Sequence, residues 1–149
     1  MNEPTLTESR VELVGDPEGA PRPRARVAGA PGGRAWAQMY VPKTEWDKTI
    51  SKQLAILARP RPPLEGPLSV VMNFFFKRPK SHTKAQQKIP FHSVRPDIDN
   101  LAKTVLDRMT DAHWWKDDTQ VGELLLRKFY VDTSRQAGCT VLVQALIDE

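Results

Sequence analysis

Arg95-Pro96-Asp97-Ile98-Asp99-Asn100-Leu101-Ala102-Lys103-Thr104-Val105-Leu106-Asp107-Arg108-Met109-Thr110-Asp111-Ala112-His113-Trp114-Trp115-Lys116-Asp117-Asp118-Thr119-Gln120-Val121 is the stretch around which the rest of the chain is read. Within it Ile98, Leu101, Ala102, Val105, Leu106 and Met109 fall in one apolar arc at 100° per residue, so Ile98 to Met109 reads as an amphipathic helix. Asp99, Lys103 and Asp107 recur at every fourth residue on the opposite side. Asp111 to Asp118 reads as a connecting turn. The stretch carries Asp97, Asp99, Asp107, Asp111, Asp117 and Asp118, six of the eighteen acidic residues of the chain. Composition alone would place about three there. In a chain of net charge +4 such a gathering of carboxylates needs a reason.

Asp97 and Asp99 flank the helix start. Two residues apart in an extended lead-in, their side chains project the same way, and the positive end of the helix dipole favours both. The plain alternative is a helix cap followed by a solvated face, but it leaves the Asp117-Asp118 pair beyond the helix unexplained. A helix running back along a sheet would return that pair towards the helix start. Converging carboxylates repel unless a cation neutralises them or their pKa values rise. Oxygen-only ligands select Mg²⁺ or Mn²⁺ over zinc. His82, His92 and His113 are scattered and Cys139 is alone, so there is no zinc cluster. Lys103, one turn from Asp99, would offset transition-state charge, orient water, or pair with Asp99.

Immediately upstream, Lys77 to Pro96 holds Lys77, Arg78, Lys80, Lys84, Lys88 and Arg95, with no acidic residue. A loop this long in a compact domain is usually functional or mobile. Its unopposed charge is a footprint for phosphates, and a merely solvated loop is the alternative. The combination of carboxylates for a hard cation and a polycationic loop is what phosphodiester hydrolysis requires. From composition and spacing the reading stops at a metal-dependent enzyme acting on nucleic acid.

Further upstream, Leu68 to Phe76 is apolar on both faces and reads as a central strand. Thr44 is a good N-cap, with Asp47 three residues on. Trp46, Ile50, Leu54, Leu57 and Ala58 follow at helical spacing, so Glu45 to Ala58 is expected to be helical until Pro60, Pro62 and Pro63 stop it. Residues 1–9 are polar and expected to be disordered, leaving residues 10–149 as one domain. Arg10 to Gly15 and Ala35 to Val41 alternate as strands. Pro21 to Arg26, if extended, aligns Arg22, Arg24 and Arg26 on one face, either to track phosphates or to blunt a strand edge. These pieces suggest a small antiparallel meander. Downstream, Val121 to Asp132 and Cys139 to Ile147 read as a hairpin joined by Thr133 to Gly138. Cys139 alternates with Val141 and Val143 and reads as a buried apolar side chain.

With 149 residues, 40% hydrophobic and 27% charged, the chain suits one globular domain. A single cysteine excludes an intrachain disulfide and suits a reducing compartment. No membrane-length apolar run and no secretory signal is visible, so the expected location is cytoplasmic.

The residues take the reading further. Arg95-Pro96-Asp97-Ile98-Asp99-Asn100-Leu101-Ala102-Lys103, then Asp107, then Trp115-Lys116-Asp117-Asp118-Thr119-Gln120-Val121, closely resembles the signature of the RusA family of Holliday-junction resolvases: Asp-x-Asp-Asn-Leu-x-Lys, a helical Asp, and Asp-Asp-x-Gln-Val. The resemblance implies a small α/β (α+β) domain with a mixed, mainly antiparallel sheet and two main helices, acting as a homodimer. It implies an endonuclease of bacteria and their prophages that cuts four-way DNA junctions by paired symmetric nicks with Mg²⁺ or Mn²⁺, leaving ligatable 5′-phosphate ends. Carried over by position, Asp97, Asp99 and Asp118 become metal-binding carboxylates, and Lys103 the basic residue needed for cleavage. Lys77, Arg78, Lys80, Lys84, Lys88 and Arg95 would contact the DNA backbone. Asn100, Asp107, Asp117 and Gln120 match the motif with open roles. The alternatives are a non-catalytic branched-DNA-binding protein, or a metal-dependent nuclease that prefers flaps or forks. Trp114 and Trp115 beside the site read as packing anchors before base-stacking wedges.

Overall fold

Leu68, Val70, Met72 and Phe74 are fully buried, while Val71, Asn73 and Phe75 between them are only half-buried. That period of two makes Leu68–Lys77 a strand with helices over one face and a more open second face. The computed structural model describes residues 8–29, 31–132 and 134–146. In chain order its elements are β1 (Glu8–Val14), β2 (Arg24–Ala28), β3 (Trp36–Tyr40), α1 (Glu45–Ile56), β4 (Leu68–Lys77), α2 (Lys84–Gln87), α3 (Ile98–Asp111), a 3₁₀ turn (Asp118–Gln120), β5 (Val121–Val131) and β6 (Gly138–Ala145). The fold is a single small α+β domain.

The main sheet runs β1-β6-β4-β5, with β4 antiparallel to β6 and parallel to β5. The core joins Val11 and Leu13 of β1, Trp46, Ile50 and Leu54 of α1, the buried face of β4, Leu101, Val105 and Met109 of α3, and Val141 and Val143 of β6. Burying one Leu, Ile or Phe side chain contributes about 1.5–3 kcal/mol, so this cluster dominates the stability of the domain. Gln53 ties α1 to β1 by accepting from Val14 N at 2.8 Å and donating to Val14 O at 2.7 Å. Gly138 admits no side chain, because a Cβ there would lie 2.1 Å from the Leu13 carbonyl oxygen.

Three expectations about how the elements pair and end are corrected. The chain does not form an early meander: β2 and β3 make a separate two-stranded ribbon, while β1 crosses the molecule to pair with β6. Asp16 to Pro23 is too long to act as a tight turn, which frees β1 to pair elsewhere. Nor do β5 and β6 form a hairpin, because β4 lies between them and pairs with both. The connection from β4 through α3 to β5 is the helical crossover that a parallel pair requires. Helix α1 ends at Ile56, two residues early, and leaves Ile56 85% exposed. Arg59 precedes Pro60, and the extended backbone that proline favours upstream already holds at Leu57.

Central placement of β4, the apolar arc of α3 and the Thr44 cap, which accepts from Asp47 N at 3.1 Å, agree with the sequence reading. Glu8 and Ser9, expected to be disordered, belong to β1, while residues 1–7 lie outside the described residues, as do Thr133 and Ile147.

Candidate active site

The site is built around the start of α3. Upstream of it, the loop lies along the free edge of β5: Tyr130 N donates to Pro90 O at 2.8 Å and His92 N to Lys128 O at 3.0 Å. The Lys128 ammonium then donates to Val94 O at 2.6 Å and Pro96 O at 2.7 Å. Burial lowers the Lys128 pKa, and the nearby Asp97 charge works in the opposite direction. Asp97 is the N-cap of α3 and its carbonyl accepts from Leu101 N, but its side chain makes no capping hydrogen bond. The carboxylate is exposed and free for another partner. Asp99 and Lys103 are also exposed, one turn apart on the same side.

The segment before β2 crosses this helix start. Ala20 N donates to Asn100 O at 3.3 Å, and Gly19 lies so close that a Cβ would meet Pro96 Cβ at 3.2 Å. A cleft of about 620 Å³ results, lined by Arg22, Arg95, Asp97 and Asn100 among others. Arg22 is thereby separated from Arg24 and Arg26, the two that lie in β2, and set beside a candidate ligand. Arg26 instead donates to Gln38 Oε1 at 3.2 Å and lies over the Tyr40 ring. The Ala-Pro-Arg run of residues 20–22 gave no local signal of this juxtaposition, which depends on a long-range crossing.

The second half of the motif forms a turn in which most residues have structural work. Gln120 accepts from Lys116 N and Asp117 N at 2.9 and 3.1 Å and donates to Leu64 O and Gly66 O at 2.9 and 3.1 Å. Asp117 accepts from Thr119 N at 3.0 Å, and this hydrogen bond leads the lowering of its pKa, followed by its hydrogen bond with Asp118. Asp118 is pushed above the ordinary carboxylate range, first by the hydrogen bond with Asp117, then by burial and the charges of Asp117 and Asp107. Asp117 and Gln120 therefore shape the turn, and Asp118 is the acid it presents.

Asp97, Asp99 and Asp118 are not gathered into a ready metal cage: among the described residues no three acidic, histidine or cysteine groups stand close enough to hold one ion. Lys128 feels Asp97, whereas Asp118 feels Asp107, which stands eight residues, or about 12 Å of helix, beyond Asp99. Lys103 and Asp107 also line a smaller cleft of about 280 Å³ with Asp47 and Arg108. The donor set still fits a hard divalent cation: the acids are oxygen ligands on exposed positions, and Mg²⁺ commonly takes one or two carboxylates and completes its shell from substrate phosphate and water.

In the basic loop, Lys77, Lys80, Lys84, Lys88 and Arg95 are exposed. Arg78 is engaged inside the loop, donating to Gln86 O and Ile89 O at 2.8 Å each and lying 4.7 Å from the Tyr130 ring centre. Its guanidinium organises the loop that presents the other cations. His92 is buried against Phe76, and burial, then the Lys128 charge, lowers its pKa to about 4. Trp114 and Trp115 are packing anchors, 2% and 0% exposed. Cys139 is buried, and burial raises its thiol pKa.

Fold and site together define a class: a single α+β domain that sets exposed carboxylates and a lysine on one helix directly after a cationic loop, as a nuclease does. The chain belongs to the endodeoxyribonuclease RusA family, whose model matches residues 15–140. The family acts on branched DNA and depends on divalent metal. The chain is also similar to the uncharacterized protein YqaN of Bacillus subtilis (strain 168), with 29% identity over 133 residues, covering 83% of this chain and 88% of that one. Among the described residues no helix is long and apolar enough to cross a membrane.

Proposed function

We propose that this protein resolves four-way DNA junctions in recombination and repair, working as a cytoplasmic homodimer that makes paired symmetric nicks with Mg²⁺, or Mn²⁺ in its place. The observation that carries the reading is the placement of Asp97, Asp99 and Lys103, free of capping or ion-pair partners among the described residues, on the exposed side of α3 immediately after the basic loop. Asp97, Asp99 and Asp118 would hold the metal. When bound, a hard cation polarises the phosphoryl group and lowers the pKa of water. The chain's own residues do the rest. Lys103 places a positive charge where negative charge develops on the phosphoryl oxygens. Lys77, Lys80, Lys84, Lys88 and Arg95 attract and orient the DNA backbone, with Arg78 holding their loop in shape. Two sites related by a two-fold axis suit the two strands of a symmetric junction.

The spread of the three acids, with Asp97 and Asp99 at the start of α3 and Asp118 in the turn beyond it, favours one refinement: metal binds weakly to the free protein and tightly once DNA phosphate completes its shell. The same spread would suit a non-catalytic junction binder, so cleavage decides between the two. The test is to compare initial cleavage rates on a synthetic four-way junction, a flap and a fork, each in Mg²⁺ and in Mn²⁺. Fastest cleavage of the four-way junction, at symmetric positions in opposed strands, is expected. Faster cutting of flaps or forks would replace the junction reading, and tight binding without cleavage in either metal would leave a binding protein.

A further inference from the structure

We infer that Lys128 is a positioning residue for the candidate metal site: its ammonium clamps the backbone on both sides of Arg95 and so sets the direction from which Asp97 enters the site. This inference rests on the reading of Asp97 as a metal ligand. Lys128 is on β5, paired with Phe74 of β4, half-buried, and well downstream of the motif residues. Its Nζ donates to Val94 O at 2.6 Å and Pro96 O at 2.7 Å. Pro96 O belongs to the peptide that joins Pro96 to Asp97, so one of the two bonds fixes the plane from which the Asp97 backbone departs. Charge-assisted hydrogen bonds of this length are roughly twice as strong as neutral ones.

The clamp also has a reason to be a lysine. The main chain of the loop is anchored on the β5 edge as far as His92, whose N–H donates to Lys128 O at 3.0 Å. It is anchored again where α3 begins, at Leu101 N to Asp97 O. Between those points Ser93, Val94 and Arg95 are exposed, and proline at 96 has no N–H to give. What ties this segment to β5 is two of its carbonyls, those of Val94 and Pro96, and a cation with three donors and no acceptor can hold both at once. A neutral apolar side chain of similar length would fill the space and leave both carbonyls unpaired.

The test uses the full chain with Lys128→Met and Lys128→Arg. The first readout, on metal-free protein, is amide hydrogen exchange at His92 and Leu101, the hydrogen-bonded amides that flank the clamped segment. The second is Mn²⁺ binding followed by the paramagnetic resonance of the free ion, in the presence of a non-cleavable junction. In Lys128→Met, exchange at these amides should quicken about tenfold or more with the rest of the sheet unchanged. Mn²⁺ affinity should fall by about ten- to a hundredfold, the usual effect of losing a group that orients a ligand. Lys128→Arg, which keeps the donors, should recover part of both. If Lys128→Met does not fold, Lys128→Gln is neutral and one bond shorter, so its amide falls short of the two carbonyls, and the same two changes are expected from it. Unchanged exchange, or quickened exchange with unchanged Mn²⁺ affinity, overturns the inference. Asp97→Asn is the control: if it leaves Mn²⁺ affinity intact, the reading of Asp97 as a ligand fails; if it weakens Mn²⁺ while the Lys128 variants do not, only the positioning role fails.

Discussion

His92 lies with its ring centre 4.0 Å from that of Phe76 and 4.9 Å from that of Tyr130, and its buried Nδ1 has no hydrogen-bond partner. Charging it there is unfavourable, so its pKa falls from 6.5 to about 4. The unfolded chain therefore takes up a proton between those values that the folded chain refuses. Its contribution to stability is complete above pH 6.5 and is lost as pH falls towards 4. Allowing for partial solvent screening, the loss is about 1–2 kcal/mol. His92→Phe keeps the stacked ring and removes the titration, so urea midpoints measured from pH 7 to pH 4 should decline less steeply than in the parent. An unchanged decline would show that other groups govern acid stability. At this scale the sequence was partly legible. Asp99 and Lys103 could be picked out because they recur, with Asp107, at every fourth residue opposite the apolar arc, and Asp97 because it stands two residues before Asp99 at the helix start. Lys128 could not, because a lysine in a strand gives no sign of the carbonyls it will meet, and Arg78 looked like its neighbours until its loop partners were visible.

Helix α3 ends in a way the sequence does not advertise. Trp114 N donates to Met109 O at 3.1 Å and His113 N to Thr110 O at 3.0 Å, the paired bonds of a Schellman ending. The residue this ending places in the left-handed region is His113, at φ 63°, where glycine is usual. The arrangement turns Trp114 and Trp115 into the core, and Trp115 Nε1 donates to Thr110 Oγ1 at 2.7 Å. His113→Gly should relieve the backbone strain and raise stability by about 1 kcal/mol, read as a higher urea midpoint with an unchanged slope. A lower midpoint would mean that the imidazole makes a stabilising contact outweighing that strain. The ending also fixes where the Asp117-Gln120 turn begins, and Gln120 then pins that turn to Leu64 and Gly66. The Asp-Asp-Thr-Gln motif is in this sense mostly scaffold, with one carboxylate, Asp118, set on it.

At the scale of the molecule, local elements were more legible than their partners. β4 and α3 carry complete apolar patterns, so their burial followed from spacing. Pairing of β5 with β4 and of β1 with β6 joins residues far apart in sequence, and the six residues between β5 and β6 resemble a hairpin turn regardless of what lies between the strands. One signal was available: a helix between two strands implies a parallel pair, and α3 separates β4 from β5. The consequence for function is a domain whose acids and cations share the β4-α3-β5 unit, while the opposite sheet face carries Phe75 stacked on Phe129. Two such domains, each cutting one strand, are what a symmetric junction requires. The direct measurement is cleavage of a four-way junction extruded in a supercoiled plasmid, by the parent protein and by Asp99→Asn. Paired nicks made in one encounter give linear DNA, whereas isolated nicks give open circles. The expected result is Mg²⁺-dependent linear product from the parent and a loss of at least about a hundredfold in Asp99→Asn, which still retards the junction in a gel. Cleavage by Asp99→Asn at the parent's rate, or no cleavage by the parent in either Mg²⁺ or Mn²⁺, would contradict the assignment of this site.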